Sequence, residues 1–516
     1  MNLIFYLMAL SPIILILILL LWKRLAADSA GLIGWLFISI LAFFIFKTSF
    51  SIIIRSSLAG FIASFPITLM VATSIFQVTI MIETGAIARI VAVVKSISPK
   101  DQVAQIMIIN IGFGTILASL GATPVSILPP IMLALGYSSL AAIALPSIGY
   151  DALCTYALLG IPVVVFANIV GKPVGEVGFY FSRFMPIISS CIAIGMLWIV
   201  GRWKLVWKGF IPALLSGCTA GFIAVLMNKL GLVTLTGVAA GLGVIIVMLL
   251  YLHAIRKPVY DSSVLTNNDR DEVSKLSIYR AVSPWLLLIG FALLINLPNL
   301  PFYSLTFTKF AFPIEIIPGA PEKLRIFWQA YFWILISTIC AFPFLRPSKK
   351  QFILTLKKWV KRAPRPMVAS AVFFIIAYIY NQSGKDANWQ LIGSSVNMIS
   401  VLANGSAELF GRFYPLIAPI LGMLAGFISG SETSAIAMLT NLHLSTASKI
   451  GVGGLLIAAA SGIGGGLASV ISPAKLQNAA ASIDRIGEES SVLRVTFVVS
   501  VLITIICAIV TFFWSL

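Results

Sequence analysis

Apolar residues run along this chain in stretches long enough to cross a bilayer, parted by short polar or basic segments. A membrane-spanning helix needs about 20 mostly apolar residues. Stretches that qualify or come close are 3–22, 30–47, 58–81, 104–121, 139–168, 180–200, 209–227, 233–254, 284–298, 327–345, 366–382, 388–404, 414–430, 452–471 and 495–515. Two shorter pieces, 123–136 and 433–443, read as half-spans. The pattern predicts an all-α polytopic membrane protein with about 12–14 transmembrane helices. Between Thr84 and Gln102, Arg89, Lys95 and Lys100 interrupt apolar residues. That segment is either a short amphipathic helix at the interface or the tail of the preceding span.

The polar segments divide the chain. Basic clusters fall at Lys23-Arg24, at Arg202, Lys204 and Lys208, at Arg256-Lys257, and from Arg346 to Arg365. Cytoplasmic loops gather Lys and Arg, so all four are placed in the cytoplasm. The first apolar stretch ends, rather than begins, in positive charge, which reads as a first span with its amino end outside. Segment 256–283 holds Asp269-Arg270-Asp271-Glu272 and reads as a cytoplasmic connecting loop. It separates an amino-terminal transmembrane half, 1–255, from a carboxyl-terminal half, 284–516. Segment 299–326, with four prolines, reads as an external loop.

Composition sharpens this. Of 516 residues 59% are hydrophobic and only 10% charged, with a mean hydropathy of +1.04. A soluble domain carries about 25% charged residues, so lipid must solvate much of this surface. The net charge of +18 sits in runs between apolar stretches, which suits the positive-inside rule and anionic headgroups and not nucleic acid. Five cysteines, all in apolar stretches, form no CxxC or Cys/His cluster. They read as small hydrophobes. Two histidines support neither a Ser-His-Asp set nor a metal site, and no cofactor is expected. His253 and His443 both read as interfacial.

Two stretches share a plan. Gly121-Ala-Thr-Pro-Val-Ser opens motif 121–162, and Gly430-Ser-Glu-Thr-Ser opens motif 430–473. Each leads through an Ala/Ile/Leu-rich helix to a matched tripeptide, Gly160-Ile-Pro162 and Ile471-Ser-Pro473, offset by 309 at the glycines and 311 at the prolines. Gly, Pro, Ser and Thr inside apolar segments break helices, and the freed backbone groups cannot face lipid. Paired breaks in two halves, here read as inverted repeats with broken helices or re-entrant hairpins, point to a transporter's binding site. Helix amino ends at such breaks suit a carboxylate.

Ionisable groups in a membrane cost roughly 2.5–3.5 kcal/mol at a helix centre, so Asp151 and Glu432 become candidates for proton coupling. Asp151 is equally readable as a structural acid bonded to tyrosine or backbone, and Glu432 as a helix cap. Thr123, Ser126, Ser431, Thr433, Ser434, Ser461 and Ser472 supply hydroxyls near the breaks, although such hydroxyls often bond back to the preceding turn. Lys475 is a candidate partner for a substrate anion or a snorkelling interfacial lysine. Tyr150 and Tyr156 either line the cavity or simply pack. Gly462 to Leu467 is read as close helix packing or a hinge, not as a phosphate loop.

The motifs together resemble the L-lactate permease family of secondary carriers. The likeness rests on Gly112-Phe-Gly-Thr, Gly121-Ala-Thr-Pro-Val-Ser-Ile, Leu158-Leu-Gly-Ile-Pro162, Gly430-Ser-Glu-Thr-Ser and Val470-Ile-Ser-Pro473. Smaller matches are Glu83-Thr-Gly, Arg280 ahead of Ser283-Pro284, and Asn381-Gln-Ser-Gly384. Their order matches from about Gly60 to the carboxyl end. The resemblance implies proton-coupled uptake of small 2-hydroxymonocarboxylates such as lactate or glycolate, and two related halves. The chain departs from the family's pattern where Leu117-Ala-Ser-Leu-Gly-Ala-Thr lacks an acidic residue, at Tyr150-Asp151, at Ser461 and Ser469, and in the added Lys475. These changes leave another organic anion or sodium coupling as the alternative. Association of identical copies is compatible with all of this. An intramembrane enzyme acting on lipid would need a nucleophile or metal set that is not found, a channel is a minor alternative, and paired helix breaks argue against a purely structural role. No segment is long enough for a nucleotide-binding domain, so the chain itself is not driven by ATP.

Overall fold

A computed structural model describes residues 3–515, apart from 22, 24, 26, 98–100, 122–123, 262, 264, 297–299, 394–395, 484 and 486. The chain is largely helical, as it must be where lipid offers no hydrogen bonds to the backbone. Among the described residues eight helical stretches are long and apolar enough to cross a membrane: Phe50–Glu83, Gln102–Ser119, Ser139–Val170, Met185–Lys229, Val233–Ala254, Lys349–Gln382, Met398–Phe427 and Glu489–Ser515. Five shorter apolar helices accompany them, among them Ala330–Leu345 and Gly454–Ser469. Large apolar side chains point outward along these helices: Phe44 is 72% exposed, Phe513 68% and Phe222 63%. That pattern suits lipid, not water.

Several expectations change on inspection. The stretches 180–200 and 209–227 stay two helices: Met185–Lys229 turns sharply at Gly201-Arg202, where Arg202 takes φ 50° and stacks on Trp198, and the two arms pack back to back, a Cβ on Gly217 lying 2.4 Å from Ser190 Cα. The stretch 388–404 is not one span: helix begins only at Met398, after a bridge between Lys385 and Leu391. The half-span at 433–443 is part of a continuous helix, Glu432–Ile450, because apolar and small residues continue past His443 at helical spacing. The loop at 299–326 carries a hairpin of strands Phe312–Ile317 and Ala320–Leu324, turned at Gly319 with φ 74°.

The segment between Thr84 and Gln102 contains a helix, Ala86–Ser96, with Ile87, Ile90 and Val94 buried. The connecting segment folds onto it. Lys95 pairs with Asp269 at 2.8 Å, and Arg89 Nε donates to the Leu276 carbonyl at 2.9 Å. The basic run forms the amphipathic helix Lys349–Arg362. It docks through Trp359 Nε1 on the Ala72 carbonyl and Gln351 Nε2 on the Glu83 carbonyl.

The core that frames the site is a pair of tightly crossed helices, Tyr414–Ser429 and Gly454–Ser469. A Cβ on Gly426 would lie 1.9 Å from the Gly465 carbonyl, and one on Gly464 would lie 2.1 Å from that of Pro419. The glycine run from 462 therefore serves close backbone contact.

Candidate functional site

In the amino-terminal motif, helix Ser139–Gly149 gives way to a tight 3-10 turn, Tyr150–Tyr156, in which Leu153 leaves helical geometry. Leu158, Leu159 and Gly160 then follow in left-handed conformation, with φ of 54°, 57° and 78°. A left-handed turn costs an L-residue roughly 1–2 kcal/mol, so two leucines in succession mark a strained break. In the carboxyl-terminal motif, helix Tyr414–Ser429 ends at Gly430, with φ 64°, and helix Glu432–Ile450 begins at once. Its cap is Ser431, which accepts from the Ser434 N–H. Glu432 is not the cap, and its carboxylate is free to reach elsewhere. A third break separates helix Gly454–Ser469 from helix Pro473–Ala481, with Ser472 at its start.

These breaks meet. Thr155 Oγ1 donates to Glu432 Oε1 at 2.7 Å across 277 positions of sequence. Cys154 Sγ lies 3.9 Å from Ser469 Oγ. A Cβ built on Gly466 would sit 2.7 Å from Glu432 Oε2 and 3.7 Å from Asp151 Oδ1, so both acids face the same point on one helix. Asp151 and Glu432 are buried. Lys475, half-buried in helix Pro473–Ala481, interacts electrostatically with both acids. Gly430 approaches Ser472 closely enough that a Cβ there would lie 3.1 Å from Ser472 Oγ.

Four buried polar atoms in these motifs have no hydrogen-bond partner: Asp151 Oδ2, Glu432 Oε2, Ser434 Oγ and Ser472 Oγ. Buried polar atoms are nearly always paired, because desolvation without a partner costs about 1–3 kcal/mol. Two of them, on Asp151 and Glu432, lie within the electrostatic reach of Lys475.

The other candidates divide. Ser431 and Thr433 lie at the same helix start, and Tyr150 is buried beside Asp151 in the turn. Tyr156 is turned away: its hydroxyl accepts from Asn228 Nδ2 at 2.9 Å and donates to the Gly178 carbonyl. Ser461 is bonded to His443 Nε2 at 2.7 Å, while Tyr414 holds Nδ1 at 2.7 Å. His443 is thus fully buried and not interfacial, because its helix continues to Ile450. Ser126 lies in helix Pro124–Ala134, and Thr123 lies outside the described residues. Among the described residues no group of His, Cys, Asp and Glu could hold a metal ion.

A family model for the L-lactate permease matches residues 6–516. The chain belongs to the L-lactate permease family. The permease is 26% identical to the glycolate permease GlcA of Escherichia coli K12, over 98% of this chain and 94% of that one. It is 25% identical to the L-lactate permease of Bacillus subtilis over the same shares. It is also 25% identical to the L-lactate permease of Salmonella typhimurium, over 87% and 85%. A multi-pass location in the plasma membrane follows from the family and from the apolar helices.

Two residues of the permease's compartment escaped the sequence reading. Thr155 lies four residues beyond Asp151 in the same turn, and its bond to Glu432 is what marks it. Gly466 sits within the glycine run, and only its close approach to Glu432 distinguishes it from the packing glycines.

Proposed function

We propose that the permease carries small 2-hydroxymonocarboxylates of the lactate and glycolate class by proton symport. Lys475, the hydroxyls of Ser434 and Ser472 and the helix amino end at Ser431 and Thr433 receive the carboxylate. Asp151 and Glu432 hold the coupling proton. The Thr155–Glu432 hydrogen bond carries this reading, because it joins the two interrupted stretches at buried acids whose other oxygens lack partners. The halves 1–255 and 284–516, joined by 256–283, would form inverted repeats with re-entrant segments, giving 12–14 crossings in all. Sodium in place of the proton is the second reading, favoured by the several oxygen atoms in the compartment.

The test is uptake of labelled L-lactate and glycolate into proteoliposomes, with an imposed pH gradient, with a sodium gradient, and with neither. Saturable accumulation under the pH gradient is expected. Uptake that follows sodium and ignores pH rejects proton coupling. Absence of saturable uptake of either acid rejects the substrate class.

A further inference from the structure

Cys154 lies beside both buried acids, although its place in an apolar stretch marks it only as a small hydrophobe. It belongs to the turn Tyr150–Tyr156, between Asp151 and Thr155. Thr155 is bonded to Glu432, so the neighbours of the thiol carry it to both carboxylates. Helix Gly454–Ser469 fixes the placement from the other side. Its residues Gly466 and Ser469 are three apart and share one face. A Cβ on Gly466 would lie 2.7 Å from Glu432 Oε2 and 3.7 Å from Asp151 Oδ1, and Cys154 Sγ lies 3.9 Å from Ser469 Oγ. The thiol interacts with both carboxylates, through hydrogen bonding as well as charge. By contrast, Cys507 faces the Ala460 carbonyl and Cys218 the Ser190 hydroxyl.

A thiol between two acids has a chemistry that a methyl group lacks. Its S–H donates and its sulfur accepts, both weakly. Asp151 and Glu432 are 4% and 3% exposed, and each keeps one oxygen without a hydrogen-bond partner. Bulk solvent is largely sealed off from them, so a protein group is the available carrier of a proton from one to the other.

We propose that Cys154 is a positioning residue that bridges Asp151 and Glu432 and lets the two acids share one proton. With Asp151 protonated, its O–H donates to Sγ and the Cys154 S–H donates to Glu432. Transfer along both bonds breaks that O–H and that S–H, and forms a new S–H and an O–H on Glu432. The thiol is neutral before and after, and the negative charge moves from Glu432 to Asp151. The proton can therefore sit on either acid while a carboxylate enters beside Lys475. This assignment rests on the proton-symport reading above.

The test follows the S–H stretching band of the full chain in detergent by infrared spectroscopy, with the Cys154 component identified by its loss in Cys154→Ala. In the absence of any substrate, that component is expected to shift in Glu432→Gln and also in Asp151→Asn. A component that ignores both substitutions overturns the bridge. In proteoliposomes under a pH gradient, Cys154→Ala should accumulate L-lactate at least about tenfold less than the wild type. Cys154→Ser keeps a donor and an acceptor and should recover to within about threefold of the wild type. Accumulation by the alanine variant within about twofold of the wild type, or a serine variant no better than alanine, likewise overturns the proposal. Wild-type protein that shows both infrared shifts but no saturable lactate uptake defeats the transport reading alone, whereas uptake with an unmoved band defeats the bridge alone.

Discussion

Gly466→Ala places one methyl group in the compartment and little else. Gly466 is inside helix Gly454–Ser469, where alanine is favoured over glycine by about 0.8–1 kcal/mol. The new methyl would meet Glu432 Oε2 at 2.7 Å and its carboxyl carbon at 3.1 Å, while Asp151 Oδ1 stands at 3.7 Å. Non-bonded atoms rest roughly 0.5 Å or more farther apart than the first of these, so Glu432 must swing away and lengthen its 2.7 Å bond from Thr155. A charge-assisted bond of that kind is worth about 1.5–3 kcal/mol. Overpacking costs about 1–3 kcal/mol, partly offset by the helix gain, so thermal stability in detergent should change little. Accumulation of L-lactate under a pH gradient should fall at least about tenfold, since a functional group misplaced by about 1 Å can lose on the order of 100-fold in rate. Gly464→Ala is the contrast: its methyl meets the Pro419 carbonyl at 2.1 Å, away from both acids, and should lower stability first. If Gly466→Ala accumulates lactate within about twofold of the wild type, the compartment is not where transport happens.

Three further outcomes follow from the same contacts. Asp151→Asn should abolish concentrative uptake while sparing counterflow exchange, and unchanged accumulation removes Asp151 from coupling. Tyr414→Phe should lower stability by about 1–3 kcal/mol, read by thermal unfolding, because it strips the partner from a buried imidazole nitrogen. Burial works to raise the Asp269 carboxyl, but the Lys95 ammonium and the Thr266 hydroxyl outweigh it and hold the group below its ordinary 3.8. The resulting stability is present above about pH 4 and lost as pH falls through the lowered value. Hydrogen-exchange protection of 266–276 should therefore drop in acid, and Asp269→Asn should show the acid-like pattern already at pH 7.

What the sequence disclosed and what it hid have separate physical causes. Asp151 and Glu432 stand out because an ionisable group in an apolar run is costly and rare. Gly121 and Gly430 stand out because helices break there. Thr155 and Gly466 carry no such mark, since a hydroxyl or a glycine in an apolar helix usually serves packing; the meaning of Thr155 depends on Glu432, 277 positions away, and that of Gly466 on the same side chain. His443 looked interfacial beside what seemed a short span, yet the helix runs on to Ile450 and buries it against Tyr414 and Ser461. Pro318-Gly319, flanked by Ile314 and Ile316, was a legible hairpin signal in a segment read only as a loop. Tyr156 resembled its neighbour Tyr150 in sequence, but its hydroxyl is held by Asn228 and the Gly178 carbonyl.

The charges in the compartment explain why an anion should not enter it alone. At roughly 5 Å and an effective dielectric of about 20, one pair of unit charges is worth about 3 kcal/mol. A carboxylate arriving beside Lys475 gains one such interaction, but it meets two if Asp151 and Glu432 are both ionised. One proton on either acid removes a repulsion and brings the balance close to neutral, and a second makes entry favourable. On the proposed proton symport, substrate and proton would bind with positive coupling, and by linkage each would raise the other's affinity by the same factor. The half-saturating external L-lactate should rise as external pH is raised from about 5.5 to 7.5, by about tenfold for each 1.4 kcal/mol of coupling. In Lys475→Gln the attraction is gone and the repulsions remain, so the pH dependence should persist while affinity falls throughout. A half-saturation constant that stays flat across this range in the wild type would mean that the acids do not feel the substrate, and the coupling would have to lie elsewhere in the fold.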